Sequence, residues 1–294
     1  MQKLKFIVSP NAGDGLGAKA VPKICRFMEK RKLDYSVEVA DRAGMTKNIA
    51  ARALQEDYEK IIAVGGDGTV NEVAACLAET DAALGVIPAG FGNDFARCLH
   101  MPSNIDDACG IIVDGAIKKI DVGKVNGQYF VNTVGLGLDG VFVHLSVKKR
   151  GEVSSFARYF ENVVKFIPFY RGMKIRAEFD GEVVERDTLI IVIGNGSYEA
   201  HGFPFLPDAK PDDGWFDVCM IGPLGFLQKL RHACLIRMGR HGRSPMVEFR
   251  KAKKINVDCR EELLGHMDGE PIKGQPYKIE IVPGALRVIV RGPE

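Results

Sequence analysis

The sequence predicts an α/β plus β protein: an N-terminal Rossmann-like three-layer α/β domain, then a C-terminal, mostly antiparallel β-sandwich domain. Three observations predict it. Short apolar runs alternate with segments of helical spacing over the first ~120 residues. Glycine-rich turns follow those runs directly. After Lys118 the texture becomes β-rich and is punctuated by NG, DG and PG turns.

Taken in order, Leu4–Val8 reads as a strand ending in SPNAGDGLG, and Ala18–Lys30 as a helix. Tyr35–Val39 alternates like a strand, and Thr46–Leu54 is helical again. Lys60–Val64 runs into GGDG and the helix-like NEVAACLAE, and Leu84–Ile87 into PAGFGNDFAR. Strands and helices in this rhythm imply βαβ units on a parallel sheet. Beyond the boundary, placed near residue 123, hairpin-like stretches dominate. They include KKIDVGKVNGQYFVNTVGLG, MKIRAEFDGEVVERDTLIIVIGN, WFDVCMIG and YKIEIVPGALRVIVRG. Helical spacing returns near Val153–Phe166 and Phe226–Met238.

Composition narrows the function classes. With 294 residues, 46% hydrophobic and 27% charged, the chain can fill two domain cores. A formal net charge of +2 argues against a nucleic-acid binder. The charge is nevertheless uneven: residues 226–260 carry ten Lys or Arg against Glu248 and Asp258. Seven cysteines, at 25, 76, 98, 109, 219, 234 and 259, include no CxxC pair and read as reduced thiols of a cytoplasmic protein. The opening MQKLKFIVSP is too short an apolar run for a signal peptide, and no stretch approaches the ~18 apolar residues of a membrane span. A lipid substrate would have to be met at the membrane surface.

The chemistry concentrates at Gly65-Gly66-Asp67-Gly68-Thr69, between an apolar run and a helix. Glycines let the backbone approach a phosphate, and the helix start offers free N–H groups and a positive dipole end. Asp67 would repel phosphate unless a cation lay between them, which suggests Mg²⁺. A tight turn using Asp for its turn propensity is the alternative reading. The loops at 9–17 and 88–94 follow neighbouring strands, so three phosphate-compatible turns meet at one sheet edge; the GxxxxGK[ST] loop is absent.

GGDGTVNEV, PAGFGNDFAR, PNAGDG, VGLGLDG at 134–140 and HMDGEP at 266–271 together resemble the diacylglycerol kinase catalytic family. That family takes in bacterial diacylglycerol kinases, YegS-like lipid kinases, sphingosine kinases and ceramide kinases. The matches run in the family's order over nearly the whole chain. The resemblance implies an ATP- and Mg²⁺-dependent kinase with its active site between two domains, 1–123 and 124–284, the chain returning to the first at about 285–294. It implies nucleotide contacts from Ser9, Pro10, Asn11, Ala12 and Gly13, from Gly66, Asp67, Gly68, Thr69, Val70, Asn71 and Glu72, and from the position of Phe91. Asp67 would lie in the magnesium network and Asp94 would organise the site. Asp268 and Glu270 match the catalytic pair, one of them the general base for the lipid hydroxyl. PDDGWFDV resembles a structural metal loop, with ligands from Asp213 and the carbonyls of Lys210 and Trp215. A hairpin turn at HMDGEP and a plain turn at Asp212-Asp213-Gly214 are the alternatives.

The chain departs from the family at Ser9-Pro10, where Asn-Pro is usual, and at Phe91, where a threonine contacts ATP. Phe91 removes that hydroxyl and adds bulk beside Gly92. A membrane-facing reading attaches to Val153–Ile167, apolar at helical spacing with Lys148, Lys149, Arg150, Arg158 and Lys165 nearby, and to the basic stretch Lys229–Lys254. Both can equally be faces turned to the core or to solvent. The partners expected are a lipid at the inner membrane face and no nucleic acid, and a homodimer is compatible with the sequence. The acceptor expected is a hydroxyl of diacylglycerol or a related neutral lipid. The alternatives are a kinase for NAD or a soluble polyol, and a catalytically impaired member that binds lipid or nucleotide, a reading motivated by Phe91.

Overall fold

A computed structural model describes residues 3–42, 44–147, 165 and 167–292. The chain divides into two compact units, residues 1–122 with 283–294, and residues 123–282.

In the first unit β1 (Leu4–Val8) pairs in parallel with β2 (Tyr35–Val39) and β3 (Lys60–Gly65), and β3 with β4 (Ala83–Pro88), giving the order β2-β1-β3-β4. These strands are short, and β1, β3 and β4 are buried along their whole length, as expected of a parallel sheet covered on both faces. The step from β1 to β2 runs one way along the sheet and the steps from β2 to β3 to β4 the other. Right-handed crossovers therefore put α1 (Leu16–Lys30) on one face, and α2 (Met45–Gln55) and α3 (Asp67–Leu77) on the other. A short α4 (Asp94–Cys98) follows β4, and α5 (Ile105–Asp114) packs against α1. Asn104 caps α5 by accepting from the N–H groups of Asp106 and Asp107. At its other end the buried Lys60 donates to the carbonyl of Ile112 at 3.1 Å, a cation at a helix C-terminus.

Among the described residues, the strands of the second unit named below pair antiparallel. One sheet runs β12 (Val247–Ala252), β11 (Phe216–Ile221), β10 (Ile190–Gly194), β7 (Thr133–Gly137), β14 (Gly265–Met267), β15 (Glu270–Ile272). Another set pairs β9 (Glu182–Thr188), β8 (Met173–Phe179), β13 (Lys254–Cys259) and the start of β16 (Tyr277–Val290). Strand alternation sends Val134, Leu136, Ile191, Ile193 and Val218 into one core with Ile175, Ala177, Ile255 and Val257. It sends Ile190, Val192 and Cys219 to the opposite face, where they meet α6 (Leu138–Val147) through Leu138 and Phe142, and α7 (Phe226–Arg237) through Ile236. β5 (Ala116–Val125) joins the units along the chain and pairs with β6 (Gln128–Phe130).

Three hairpins turn on Asn126-Gly127, Asp180-Gly181 and Asp268-Gly269, all with positive φ at both residues, the backbone that a two-residue type I′ turn requires. The PG turn expected in YKIEIVPGALRVIVRG does not form: β16 continues through Pro283 and Gly284 to Val290. Proline fixes φ near −65°, so it cannot take the first central position of a type I′ turn. The strand instead reaches β4, pairing Arg287 with Ala83 and Val288 with Leu84 in parallel. The helix expected at Val153–Phe166 lies, apart from Lys165, outside the described residues. Among those described, no helix is long and apolar enough to cross a membrane.

Gly66 and Gly90 bring the turns after β3 and β4 into backbone contact. A Cβ on Gly90 would sit 2.4 Å from the Gly66 Cα, a backbone atom that cannot swing aside. Gly90→Ala is expected to destabilise the chain by about 1–3 kcal/mol, the cost of overpacking a close contact. Urea unfolding checks this, and an unchanged midpoint would show that the two turns separate freely.

Candidate active site

The turns after β1, β3 and β4 lie side by side because their strands are neighbours in the parallel sheet. Ser9 donates its N–H to the Val64 carbonyl at 3.0 Å, and Ala89 donates to Gly65 at 2.9 Å, so each turn is tied to its neighbour. The first intrahelical bond of α3 is Val70 N–H to Gly66 O, at 3.1 Å. The N–H groups of Asp67, Gly68 and Thr69 thus precede the helical ladder, where an anion finds donors and the positive dipole end.

Within this edge the sequence-predicted residues separate. Ser9, Pro10, Ala12 and Gly13 are half-buried and Asn11 is exposed. Gly66, Asp67, Gly68, Thr69 and Glu72 are half-buried, whereas the Val70 side chain is a core residue and leaves only its backbone for a ligand. Asn71 lies one turn after Asp67, buried, and its Oδ1 has no hydrogen-bond partner, an uncommon state for a buried amide oxygen. Asp67 Oδ1 accepts the Phe95 N–H at 3.1 Å, so this carboxylate also fastens the start of α4. Asp94, the first residue of α4, is buried. Phe91 projects from a turn held by Asn93, which accepts from Gly90 N–H at 2.9 Å and donates to Gly90 O at 2.8 Å, and it is 42% exposed.

In the second unit Asp268 and Glu270 sit on one type I′ hairpin in different environments. Asp268 is buried, and its carboxylate accepts three backbone N–H groups, from Val131 at 2.9 Å, Asn132 at 3.0 Å and Thr133 at 2.8 Å. Oxygens held by three amides are poorly placed to take a proton from a substrate. Glu270, at the start of β15 and opposite Met267, is half-buried.

Beside the hairpin, sequence reading assigned no role to a buried cluster. His266 Nε2 lies 2.8 Å from Asp139 Oδ2 and 2.8 Å from Glu199 Oε1, all three residues at most 5% exposed. Gly135 makes room for it: a Cβ there would fall 2.2 Å from His266 Nε2. Burial pushes Glu199 up to about 7, helped by the charge of Asp139 and opposed by His266. Burial would lower His266, but Glu199 and Asp139 together outweigh it and hold the imidazole well above its ordinary value. One imidazole and two carboxylates around a point also satisfy the donor chemistry of a divalent transition metal. Asp139 and His266 lie within the LDG and HMDGEP motifs, but Glu199 carries no spacing signal.

The loop at 210–215 does not fit a metal as it is folded. Asp213 Oδ1 accepts the Trp215 N–H at 3.1 Å, and Oδ2 accepts from the Lys251 ammonium at 2.7 Å. Lys253 sits 4.3 Å over the Trp215 ring, and Lys210 is exposed. Lysines therefore supply the positive charge there.

Two family profiles match the chain. The diacylglycerol kinase catalytic domain covers residues 3–125, and the YegS C-terminal NAD kinase beta sandwich-like domain covers residues 132–290. A diacylglycerol kinase of Staphylococcus carnosus is 34% identical over 272 residues, 92% of this chain and 89% of its own length. One from Staphylococcus aureus is 33% identical over 272 residues, 92% of this chain and 86% of its own. The crystal structure of a Bacillus anthracis diacylglycerol kinase superposes with a TM-score of 0.75 at 26% identity, covering 98% of this chain and 97% of that one. A further crystal structure from that organism reaches 0.82 at 28% identity, with the same coverage.

The buried cluster makes stability depend on pH. Glu199 titrates near 4.5 when unfolded and near 7 when folded, so between those values the folded chain keeps a proton the unfolded chain has lost. Stability therefore falls as pH rises from 4.5 to 7. The stabilisation from His266 is complete below 6.5 and is lost as pH climbs through its raised folded value, which has the same sign. Glu199→Gln cannot ionise and is expected to flatten the fall between pH 4.5 and 7, a change on the order of 1–3 kcal/mol. Urea unfolding at stepped pH tests this; an identical slope in the variant would contradict it.

Proposed function

The chain belongs to the diacylglycerol kinase family, which makes it a lipid kinase, and we propose that it transfers the γ-phosphoryl group of ATP to a hydroxyl of diacylglycerol or a related neutral lipid. The observation that carries this reading is the set of three glycine turns at one edge of the parallel sheet, with the start of α3 open among them. Backbone N–H groups of Gly68 and Thr69 and the Asn71 amide are the donors and acceptors we assign to the nucleotide. Asp67 and Asp94 begin adjacent helices and fit as the carboxylates for Mg²⁺ carried on the nucleotide phosphates. When bound there, Mg²⁺ neutralises charge on the transferred group.

A lipid alcohol is a weak nucleophile until its proton is accepted. We assign that step to Glu270, whose carboxylate is half-buried, and not to Asp268, whose oxygens are committed to three amides. The proton passes from the lipid hydroxyl to Glu270 and the lipid oxygen bonds to the γ-phosphorus. The bond between that phosphorus and the β–γ bridging oxygen breaks, leaving ADP. The lipid is met at the inner membrane surface.

Radiolabelled ATP with Mg²⁺ should label diacylglycerol in mixed micelles and leave NAD and glycerol unlabelled. Asp67→Asn keeps an oxygen for the Phe95 N–H, while an amide replaces the other carboxylate oxygen and the charge is lost. It should lose about 10²–10³-fold in rate, the usual weight of a transition-state electrostatic contact, with the unfolding midpoint unchanged. Label on NAD or glycerol alone, or a fully active Asp67→Asn, would overturn the reading.

A further inference from the structure

We propose that the outward face of α7 docks on an anionic lipid surface. The helix is built the wrong way round for a soluble one. Its inward side buries Lys229, His232 and Ile236, while Phe226, Leu227 and Leu230 face outward, Leu227 at 77% exposure. Met238, one residue past the helix, continues the same stripe: 227, 230, 234 and 238 recur at helical spacing and fall on one side. The buried polar groups are satisfied, so the orientation is not an accident of poor packing. Lys229 Nζ donates to the Ile167 carbonyl at 2.7 Å and to Tyr170 at 2.5 Å. The His232 ring bonds to Gln228 O and to Ser244 Oγ, each at 2.7 Å. The bonds of Lys229 also hold the 167–170 turn beside α7, and that turn carries Phe169, 79% exposed.

Charge decides what covers this face. Between Asp217 and Glu248 the chain has no carboxylate and five Lys or Arg. Arg231 and Arg237 are exposed on α7, and Arg240 and Arg243 are exposed just after it. Exposed apolar side chains ringed by cations match the acyl boundary and headgroups of an anionic membrane. A second copy of the chain is disfavoured, because a twofold contact would place the same cations against one another. The inference rests on the lipid-kinase reading only in that such an enzyme must meet a bilayer; the vesicle measurement below needs no catalysis.

The full-length chain is sedimented with vesicles of phosphatidylglycerol mixed with phosphatidylcholine, and with phosphatidylcholine alone. Binding should favour the anionic vesicles and weaken with salt. The double variant Leu227→Asp, Leu230→Asp should lose about tenfold or more of that partitioning, because burial of apolar side chains sets interfacial affinity. Its unfolding midpoint, and its activity on a short-chain diacylglycerol in detergent, should stay unchanged. Arg231→Glu with Arg237→Glu gives an independent pair and should abolish the preference for anionic vesicles. Equal vesicle binding by both double variants would overturn the proposal. So would a dimer of the parent chain that becomes a monomer on Leu227→Asp, Leu230→Asp, since the face would then be covered by a second copy. Vesicle binding without lipid phosphorylation would leave the docking face standing and remove the proposed function instead.

Discussion

The second unit is organised around one carboxylate that accepts three backbone N–H groups. Asp268 fixes Val131, Asn132 and Thr133, and its own N–H donates to Thr133 O at 2.9 Å. The segment so fixed then holds the next. Asn132 O accepts from Asn195 at 2.9 Å and Gly196 at 3.2 Å, and the Asn132 amide donates to Tyr198 O at 2.8 Å. That loop ends in Glu199, which reaches His266 on the same hairpin as Asp268. The circuit closes on itself. Each unsatisfied buried N–H would cost about 1–3 kcal/mol, so loss of the Asp268 carboxylate would threaten the whole arrangement. Glu270, two residues on at the start of β15, is half-buried, and it is the residue to which we assign the chemistry.

The first unit solves a different problem, the gathering of polar backbone at one place without side-chain bulk. Adjacent parallel strands put their turns together, and Gly66 against Gly90 lets two of them touch. Asp67 then links the third element by accepting from Phe95. A single residue thus offers one oxygen to the fold, and in the function we propose the same carboxylate carries the charge for the phosphate chemistry. Asn93 does comparable work for the neighbouring turn, closing Gly90 to Asn93 and leaving Phe91 at the surface.

Most of the fold was legible in sequence because its signals are local. Period-two and helical spacing gave β1 to β4, α1 and α2 within a residue or two, but placed the start of α3 at Asn71, four residues late; the NG and DG pairs marked all three type I′ turns. The PG pair misled because it shares their composition without their backbone; a proline cannot supply positive φ. The site was legible only where chemistry and motif coincide, as at Asp67. Which oxygen of Asp268 meets which amide depends on pairings across more than 130 residues. Glu199 was invisible for the same reason: its partner lies 67 positions away, at His266. The Asp213 loop shows the converse, a local motif whose carboxylate accepts from Lys251 on a neighbouring strand, a contact no spacing announces.

The central claim is that two carboxylates two residues apart have been given separate tasks, Asp268 structural and Glu270 chemical. Measuring kcat and the urea-unfolding midpoint in parallel for Asp268→Asn and Glu270→Gln tests it most directly. Asp268→Asn should lower the midpoint, because its amide NH₂ would face the Val131 N–H. Glu270→Gln should keep the midpoint and lose about 10²–10⁴-fold in kcat, the range of general-base assistance. The account would be contradicted by an Asp268→Asn variant of unchanged stability that loses that rate, or by a Glu270→Gln variant that stays fully active.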